Sequence, residues 1–212
     1  MPATGGPDNR REKTLPLRAR PKPHLRGGAG GAGHAAGRAA MRAESRVFVG
    51  IGSNLGDRAE LVRFACAEIN RIPGTLLHAV SPWYRSAPVG PGAQEDYLNG
   101  VVELRSSRQP ADLLAALHRI ENAAGRVRRE RWGARTLDLD LLLFGSCRER
   151  SARLTLPHPR IGERNFVVYP LSDLAPSLLL PDGQRVQSLR ARLGNAGLTR
   201  LGKGPEAFRA AA

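Results

Sequence analysis

The stretch from Arg135 to Leu141, R-T-L-D-L-D-L, alternates polar and apolar side chains with a period of two. This period predicts a β-strand with leucines on one face and Asp138 and Asp140 on the other. Same-face residues of a strand lie about 7 Å apart along the chain, so the two carboxylates are neighbours of like charge. A solvated acidic edge strand fits this pattern. A Mg²⁺ site fits it too, because magnesium binds one or two carboxylates together with substrate phosphates.

The loop before this strand is dense in arginine. Between Gly125 and Arg135 it holds five arginines and Trp132, with few aliphatic side chains that a core could bury. Guanidinium groups match phosphate oxygens and stack on planar rings. A phosphate-rich ligand held between this loop and a metal at Asp138 and Asp140 would account for both features. A solvated basic loop or a nucleic-acid patch would account for the loop alone.

Residues 1–45 carry part of the basic charge of the chain. The formal net charge is +14, and residues 1–45 contribute nine Lys/Arg against three Asp/Glu. These residues are rich in Gly, Ala, Pro and Arg without hydrophobic periodicity, so we expect them to be disordered. They could form a nucleic-acid-binding arm or lie upstream of a start at Met41, and we favour the second. Residues 190–212 are predicted to be a frayed tail, which leaves one domain over residues 46–189.

The sequence offers little sign of membrane insertion or secretion. No run of about 18 apolar residues occurs, and no apolar segment follows the basic N-terminal residues. Cys66 and Cys147 lie far apart and form no C-x-x-C motif. We therefore expect a reduced, cytoplasmic protein.

Between the two termini, hydrophobic periodicity and turn residues predict an α+β fold. The predicted elements are a strand over 46–51, a helix capped by Asp57 and ended by Pro73, strands over 76–85 and 97–104, a helix from Pro110 to Gly125, and a strand over 136–144. The order β-α-β-β-α-β is that of a ferredoxin-like core, a mainly antiparallel sheet packed with helices. Residues 166–171 are expected to add a strand or a short helix.

A few polar and aromatic residues suggest a site for a flat ligand. Tyr97 and Phe166 are two aromatics in a chain with few of them; they could be core residues, or they could sandwich a heterocycle. Asn99 shares the strand face of Tyr97, and its amide can donate and accept at a purine or pterin edge. His158 lies between two prolines and could equally be a surface residue. No P-loop motif is present.

Five motifs together resemble those of the bacterial 6-hydroxymethyl-7,8-dihydropterin pyrophosphokinases, in order and spacing. They are G-S-N-L at 52–55, Y-R-S-A-P-V-G-P at 84–91, D-Y-L-N at 96–99, G-R-V-R-R-E-R-W-G-A-R-T-L-D-L-D at 125–140, and L-P-H-P-R at 156–160. The similarity extends from about residue 46 to 183. The chain departs from the usual pattern in a loop one residue shorter between Arg128 and Trp132, and in His118, Ala134 and Pro159.

The resemblance implies an enzyme of folate biosynthesis that transfers pyrophosphate from ATP to the hydroxymethyl oxygen of a reduced pterin and releases AMP. It implies that Asp138 and Asp140 hold two magnesium ions and that Arg126 and Arg135 stabilise charge on the transferred group. It also implies nucleotide contacts from Glu121, Arg128, Arg131, Trp132, His158 and Arg164, and pterin contacts from Ser86, Val89, Tyr97, Asn99 and Phe166. A monomer is the expected state, with small-molecule substrates and neither membrane nor nucleic acid as partner.

Two other functions compete with this enzyme. A basic ferredoxin-like module could bind RNA, although the chain lacks the aromatic-rich strand motif of such modules, and a carboxylate pair repels phosphate. A degenerate homologue with a binding role is the second alternative. The presence of Asp138, Asp140, Arg126 and Arg135 together favours a working enzyme.

Overall fold

The computed structural model describes residues 43–88, 94–125 and 136–203. Its elements are β1 (Ser45–Ser53), α1 (Arg58–Asn70), β2 (Thr75–Val80), β3 (Pro82–Ser86), β4 (Tyr97–Ser106), α2 (Pro110–Ala123), β5 (Asp138–Phe144), β6 (Glu149–Arg150), β7 (Thr155–Leu156), α3 (Asn165–Leu174), α4 (Val186–Leu193) and β8 (Leu198–Lys203). None of the helices in these three ranges has the length and apolar character needed to cross a bilayer.

Two interleaved β-α-β units make the central sheet. The strand order is β5-β1-β4-β3-β8, with β2 also paired to β4, and all these pairings are antiparallel. Helix α1 connects β1 to β2, and β4 lies between these two strands in the sheet. Helix α2 connects β4 to β5, and β1 lies between those two. The predicted ferredoxin-like β-α-β-β-α-β core of an α+β fold is therefore confirmed.

The sheet is covered on both faces because successive side chains of a strand point to opposite sides. Along β1, Val47, Val49 and Ile51 pack in a core cluster with residues of α1 and α2. Phe48 points the other way, into a second cluster built with α3 and α4. Helix α1 begins as predicted, since the Asp57 side chain accepts a hydrogen bond from Glu60 N, but it ends at Asn70, before Pro73. Gly125 follows α2 with a φ of 74°, as predicted for its C-terminus.

The structure differs from the sequence prediction in the strand after α1, at the C-terminus and in a short hairpin. The strand predicted over 76–85 is divided at the buried Ser81, whose hydroxyl accepts a hydrogen bond from Val101 N and donates to Pro82 O. The segment 166–171, expected to be a strand or a short helix, belongs to helix α3, the second of these alternatives. Residues 190–203, predicted to fray, complete α4 and form β8, which pairs with β3. The short hairpin of β6 and β7 was not anticipated.

Asp173 of α3 connects its own helix to three other elements, β3, α4 and β8. Its carboxylate accepts hydrogen bonds from Tyr84 Oη of β3 at 2.5 Å and from Arg190 Nη1 of α4 at 2.8 Å. Arg200 of β8 reaches the same carboxylate at 3.4 Å. The helices α3 and α4 are thereby fixed to the edge of the sheet where β8 pairs with β3.

This network perturbs the pKa values of its members. Burial acts to raise the pKa of Asp173, but the hydrogen bonds from Tyr84 and Arg190 outweigh it, so the pKa lies below its usual range. Burial, together with the hydrogen bond to Asp173, raises the pKa of Tyr84 to about 12. The network is therefore anionic at Asp173 and neutral at Tyr84 at neutral pH.

The lowered pKa makes Asp173 a source of acid sensitivity. A carboxylate whose pKa is lowered in the folded state stabilises the fold at pH values above its pKa in the unfolded state, about 3.9. This contribution is lost as the pH falls through the pKa of the folded state. We expect Asp173→Asn to lose about 1–3 kcal/mol of unfolding free energy at pH 7 and less at pH 3, which lies below the unfolded-state pKa. Urea unfolding at both pH values measures this, with the exposed Asp112→Asn as control. An equal loss at pH 7 and pH 3 would contradict the assignment.

Candidate active site

Strand β5 places the two predicted metal ligands on one face of the sheet. Leu139 and Leu141 point into the core cluster with α1 and α2. Asp138 and Asp140 alternate with them and are half-buried. In the register with β1, Asp138 lies opposite Gly52 and Asp140 opposite Gly50. The predicted alternation of the D-L-D-L segment is therefore confirmed, at an edge strand of the sheet.

Two cavities meet at these carboxylates. The first, of about 480 Å³, lies on the side of α3 and is lined among others by Tyr97, Asn99 and Phe166. The second, of about 360 Å³, lies on the side of α2 and is lined among others by Glu121 and His158. Within the part of the chain that the structure describes, Asp138 and Asp140 are the two residues that line both cavities. A group bound at the pair can thus contact a ligand in each cavity.

Glu121 of α2 lies beneath β5. Its side chain is 1% exposed, and Oε1 accepts a hydrogen bond from the main-chain N–H of Leu139 at 2.8 Å. An edge strand has alternate N–H groups without a neighbouring strand, and this carboxylate satisfies one of them. Glu121 also lines the second cavity. It therefore holds the strand segment between the two aspartates as well as facing the cavity.

Two cationic or polar groups approach Asp140 from the chain that follows β5. Arg164, at the start of α3, lies 3.4 Å from Asp140 Oδ2 through Nη1. His158 Nε2 lies 3.9 Å from the same oxygen. The Arg164 guanidinium is also 5.6 Å from the centre of the Phe166 ring, within the range of a cation–π contact. Arg164 thus links the carboxylate to the aromatic wall of the first cavity.

His158 is held in a defined orientation. Its main-chain N–H donates to Leu142 O of β5 at 2.9 Å, and its ring Nδ1 accepts from Arg160 N at 3.2 Å. Burial lowers the pKa of His158; Arg164 and Arg160 act in the same direction, against the opposing effect of Asp140 and Asp138. In the neutral ring Nδ1 is the acceptor, so Nε2 carries the proton and points toward the carboxylates as a donor.

The first cavity combines aromatic and amide groups. Asn99 is buried, and its Nδ2 donates to Ser86 Oγ at 2.9 Å, which fixes the orientation of the amide. Tyr97 comes from β4, whereas Phe166 comes from α3, and both line the cavity. The structure therefore brings together four of the five predicted pterin-contacting residues. The fifth, Val89, lies outside the described residues.

Gly52 forms part of the floor of this cavity, a role that was not predicted for it from the sequence. A Cβ on Gly52 would lie 3.2 Å from Asn99 Oδ1 and 3.9 Å from Asp138 Cβ. The period-two spacing of Gly50 and Gly52, on the face that Asp138 and Asp140 share, was the available signal. Five further predicted site residues, Arg126, Arg128, Arg131, Trp132 and Arg135, lie outside the described ranges.

The sequence matches a known family over well over half of its length. The family model for 7,8-dihydro-6-hydroxymethylpterin-pyrophosphokinase (HPPK) matches residues 48–176. The chain belongs to the HPPK family. The matched segment includes β5, both aspartates, His158 and the start of α3, and it ends before α4 and β8.

Relatives with this function in their names are close in sequence. The 2-amino-4-hydroxy-6-hydroxymethyldihydropteridine pyrophosphokinase of Pseudomonas aeruginosa is 49% identical over 156 residues, which cover 74% of this chain and 96% of the relative. The enzyme of the same name from Haemophilus influenzae is 42% identical over 142 residues, covering 67% and 89%. Membership in the HPPK family therefore rests on nearly the full length of these relatives.

The fold is also that of a solved HPPK-containing structure. The crystal structure of the Plasmodium falciparum HPPK-DHPS triple mutant with pteroate superposes with a TM-score of 0.60 and 11% sequence identity. The superposition covers 76% of this chain and 47% of that chain. This chain thus spans about half of that structure's length, and the similarity establishes the shared fold.

The contact between Glu121 and β5 yields a prediction for stability. Glu121→Ala leaves the Leu139 N–H without its acceptor and opens a cavity beneath β5, so we expect a loss of about 2–4 kcal/mol of unfolding free energy. Glu121→Gln keeps an acceptor oxygen for Leu139 and should lose less. Chemical denaturation of both variants beside the parent protein measures the difference. Equal stability of Glu121→Ala and the parent would contradict this role.

Proposed function

We propose that this chain transfers the pyrophosphoryl group of ATP to the hydroxymethyl oxygen of 6-hydroxymethyl-7,8-dihydropterin, giving AMP and the pterin diphosphate in folate biosynthesis. Family membership and the names of the relatives support this reaction. The observation that carries it is the position of Asp138 and Asp140, which line both cavities. A transfer between two substrates needs such a shared centre, because the donor phosphate and the acceptor hydroxyl must meet there.

The first cavity suits the pterin. Tyr97 and Phe166 offer aromatic faces for a flat ring, and the Asn99 amide offers a donor and an acceptor for its polar edge. Because Ser86 orients Asn99, this recognition is fixed before the ligand enters. The sandwich of the ring between Tyr97 and Phe166 is part of the proposal.

The second cavity suits the nucleotide. His158 presents Nε2–H near the carboxylates, where it would donate to a phosphate oxygen, and Glu121 lies on the wall beside it. Arg164, next to Asp140, adds positive charge on the side of the first cavity. We propose that the arginine loop, through Arg126, Arg128, Arg131, Trp132 and Arg135, completes the nucleotide site.

The donor set at β5 fits magnesium. Within the described ranges no group of three or more His, Cys, Asp or Glu side chains is arranged to enclose a metal ion. Mg²⁺ does not need such a cage when phosphates complete its coordination, and two carboxylates on one strand face are the hard oxygen ligands it prefers. We propose that Asp138 and Asp140 hold two magnesium ions. When bound, these ions would neutralise phosphate charge and polarise the transferred group.

The protein's own groups keep the carboxylates in place for this task. Arg164 restrains Asp140 through its guanidinium, and Glu121 restrains the backbone between the two aspartates. Neutral His158 can hold a phosphate oxygen without drawing Asp140 into a strong ion pair. These contacts hold Asp138 and Asp140 where they line both cavities.

Location and assembly are further parts of the proposal. Cys66 is buried and Cys147 half-buried, and both are free thiols, which fits the reducing cytoplasm. We propose a cytoplasmic monomer that acts on small molecules.

The decisive assay separates adenine nucleotides after incubation of the protein with ATP, Mg²⁺ and the reduced pterin. We expect AMP that depends on the pterin; ADP as the product, or no AMP, would contradict the proposed transfer.

Removing one metal ligand tests the role of the pair. Asp138→Ala should lower turnover about a thousandfold or more, since the metal contributes several kcal/mol to the transition state. Asp112→Ala, an exposed acidic residue of α2, should keep full turnover. The melting temperature of each variant reports folding. Turnover near the parent level in folded Asp138→Ala would refute the metal assignment.

A further inference from the structure

The first cavity has a wall built from the C-terminal part of the chain. Leu193 ends α4, and Ala196 and Gly197 lie in the connection to β8; all three line the cavity. We call residues 194–197 the C-terminal turn. The HPPK family model matches residues 48–176, so this wall follows the matched segment.

One side chain ties the C-terminal turn to the catalytic side of the cavity. Asn165, the first residue of α3, donates from Nδ2 to Ala196 O at 3.0 Å and approaches Gly194 O at 3.5 Å. An amide nitrogen carries two hydrogens, so both carbonyls can be contacted at once. Asn165 stands between Arg164, which contacts Asp140, and Phe166, the aromatic wall. The turn is therefore joined to the helix start that contacts both the metal-binding end and the ring site.

The flanking elements fix the ends of the turn, and Asn165 adds the side-chain hydrogen bonds that tie it to α3. Arg190 of α4 and Arg200 of β8 both bind Asp173. Strand β8 pairs with β3, where Leu198 lies opposite Ser86. Gly194 and Gly197 have φ values of 63° and 69°, a conformation that glycine adopts without strain. Within the turn, Asn195 O accepts a hydrogen bond from Leu198 N at 3.0 Å, whereas Ala196 O and Gly194 O are the carbonyls that the Asn165 side chain contacts.

We propose that Asn165 is a positioning residue that holds the C-terminal turn as a wall of the pterin pocket and thereby determines how tightly the pterin binds. The inference rests on the assignment of the first cavity to the pterin. Leu193, Ala196 and Gly197 line the first cavity and not the second, as far as the described residues define them. Loss of the Asn165 side chain is therefore expected to weaken the binding of the pterin and not that of ATP.

Three variants test this role. Asn165→Ala removes the hydrogen bonds to the turn. Ala196→Leu leaves Asn165 in place but adds apolar bulk to the wall. Asn195→Ala is the matched control, because Asn195 is an exposed asparagine of the same turn that lines neither cavity.

The measurements are the pterin Kd by calorimetric titration, the KM for each substrate, kcat and the melting temperature. We expect Asn165→Ala to raise the pterin Kd and KM about three- to tenfold, as the loss of one hydrogen bond predicts. The KM for ATP should change less than twofold. Ala196→Leu should raise the pterin Kd likewise, and Asn195→Ala should match the parent protein.

The outcomes distinguish a failure of the role of Asn165 from a failure of the proposed reaction. An unchanged pterin Kd in folded Asn165→Ala, or an equal rise in the KM for ATP, would overturn the role of Asn165 while pterin-dependent AMP still supports the reaction. If Asn165→Ala does not fold, the pterin Kd of Ala196→Leu provides the test. An unchanged Kd in that variant would overturn the claim that the C-terminal turn is a wall of the pterin pocket. A parent protein that binds pterin without forming AMP would overturn the reaction and leave the Kd comparison intact. A parent that does not bind pterin would overturn both.

Discussion

The hydrogen bond between Glu121 and Leu139, together with the pairing of β5 to β1, determines where the chemistry of this protein takes place. Strand β5 is an edge strand, so one side of its backbone has no neighbouring strand. On that side, the buried Glu121 carboxylate of α2 accepts a hydrogen bond from the main-chain N–H of Leu139, which lies between the two aspartates. Because the pairing with β1 and this contact fix the rotation of β5, Asp138 and Asp140 face the two cavities and the leucines face the core.

The topology explains why one cavity opens beside β5. Both β-α-β connections place their helices on the same face of the sheet, and α3 and α4 cover part of the other face. Gly50 and Gly52 carry no side chains on that second face, so space remains above β1. The cavity is then bounded by β4, by the start of α3 and by the turn before β8. The site is thus the uncovered part of an otherwise packed sheet.

Sequence patterns predicted those parts of the structure that depend on local order. The D-L-D-L alternation, the capped start of α1 and the proline start of α2 can each be read from a few consecutive residues. The sequence motifs then identify the site residues on these elements. The division at Ser81 and the formation of β8 depend on partners far along the chain, Val101 and β3. Gly52 and the C-terminal turn became part of the site through the same long-range packing.

We propose that Asp138 and Asp140 hold the metal between pterin and nucleotide. Crystals grown with Mn²⁺, a non-hydrolysable ATP analogue and the reduced pterin would show whether they do. Anomalous scattering at the manganese edge locates the ions independently of the refined protein atoms. We expect manganese peaks within about 2.3 Å of carboxylate oxygens of both Asp138 and Asp140. Manganese bound to the phosphates alone, with neither aspartate as ligand, would contradict it.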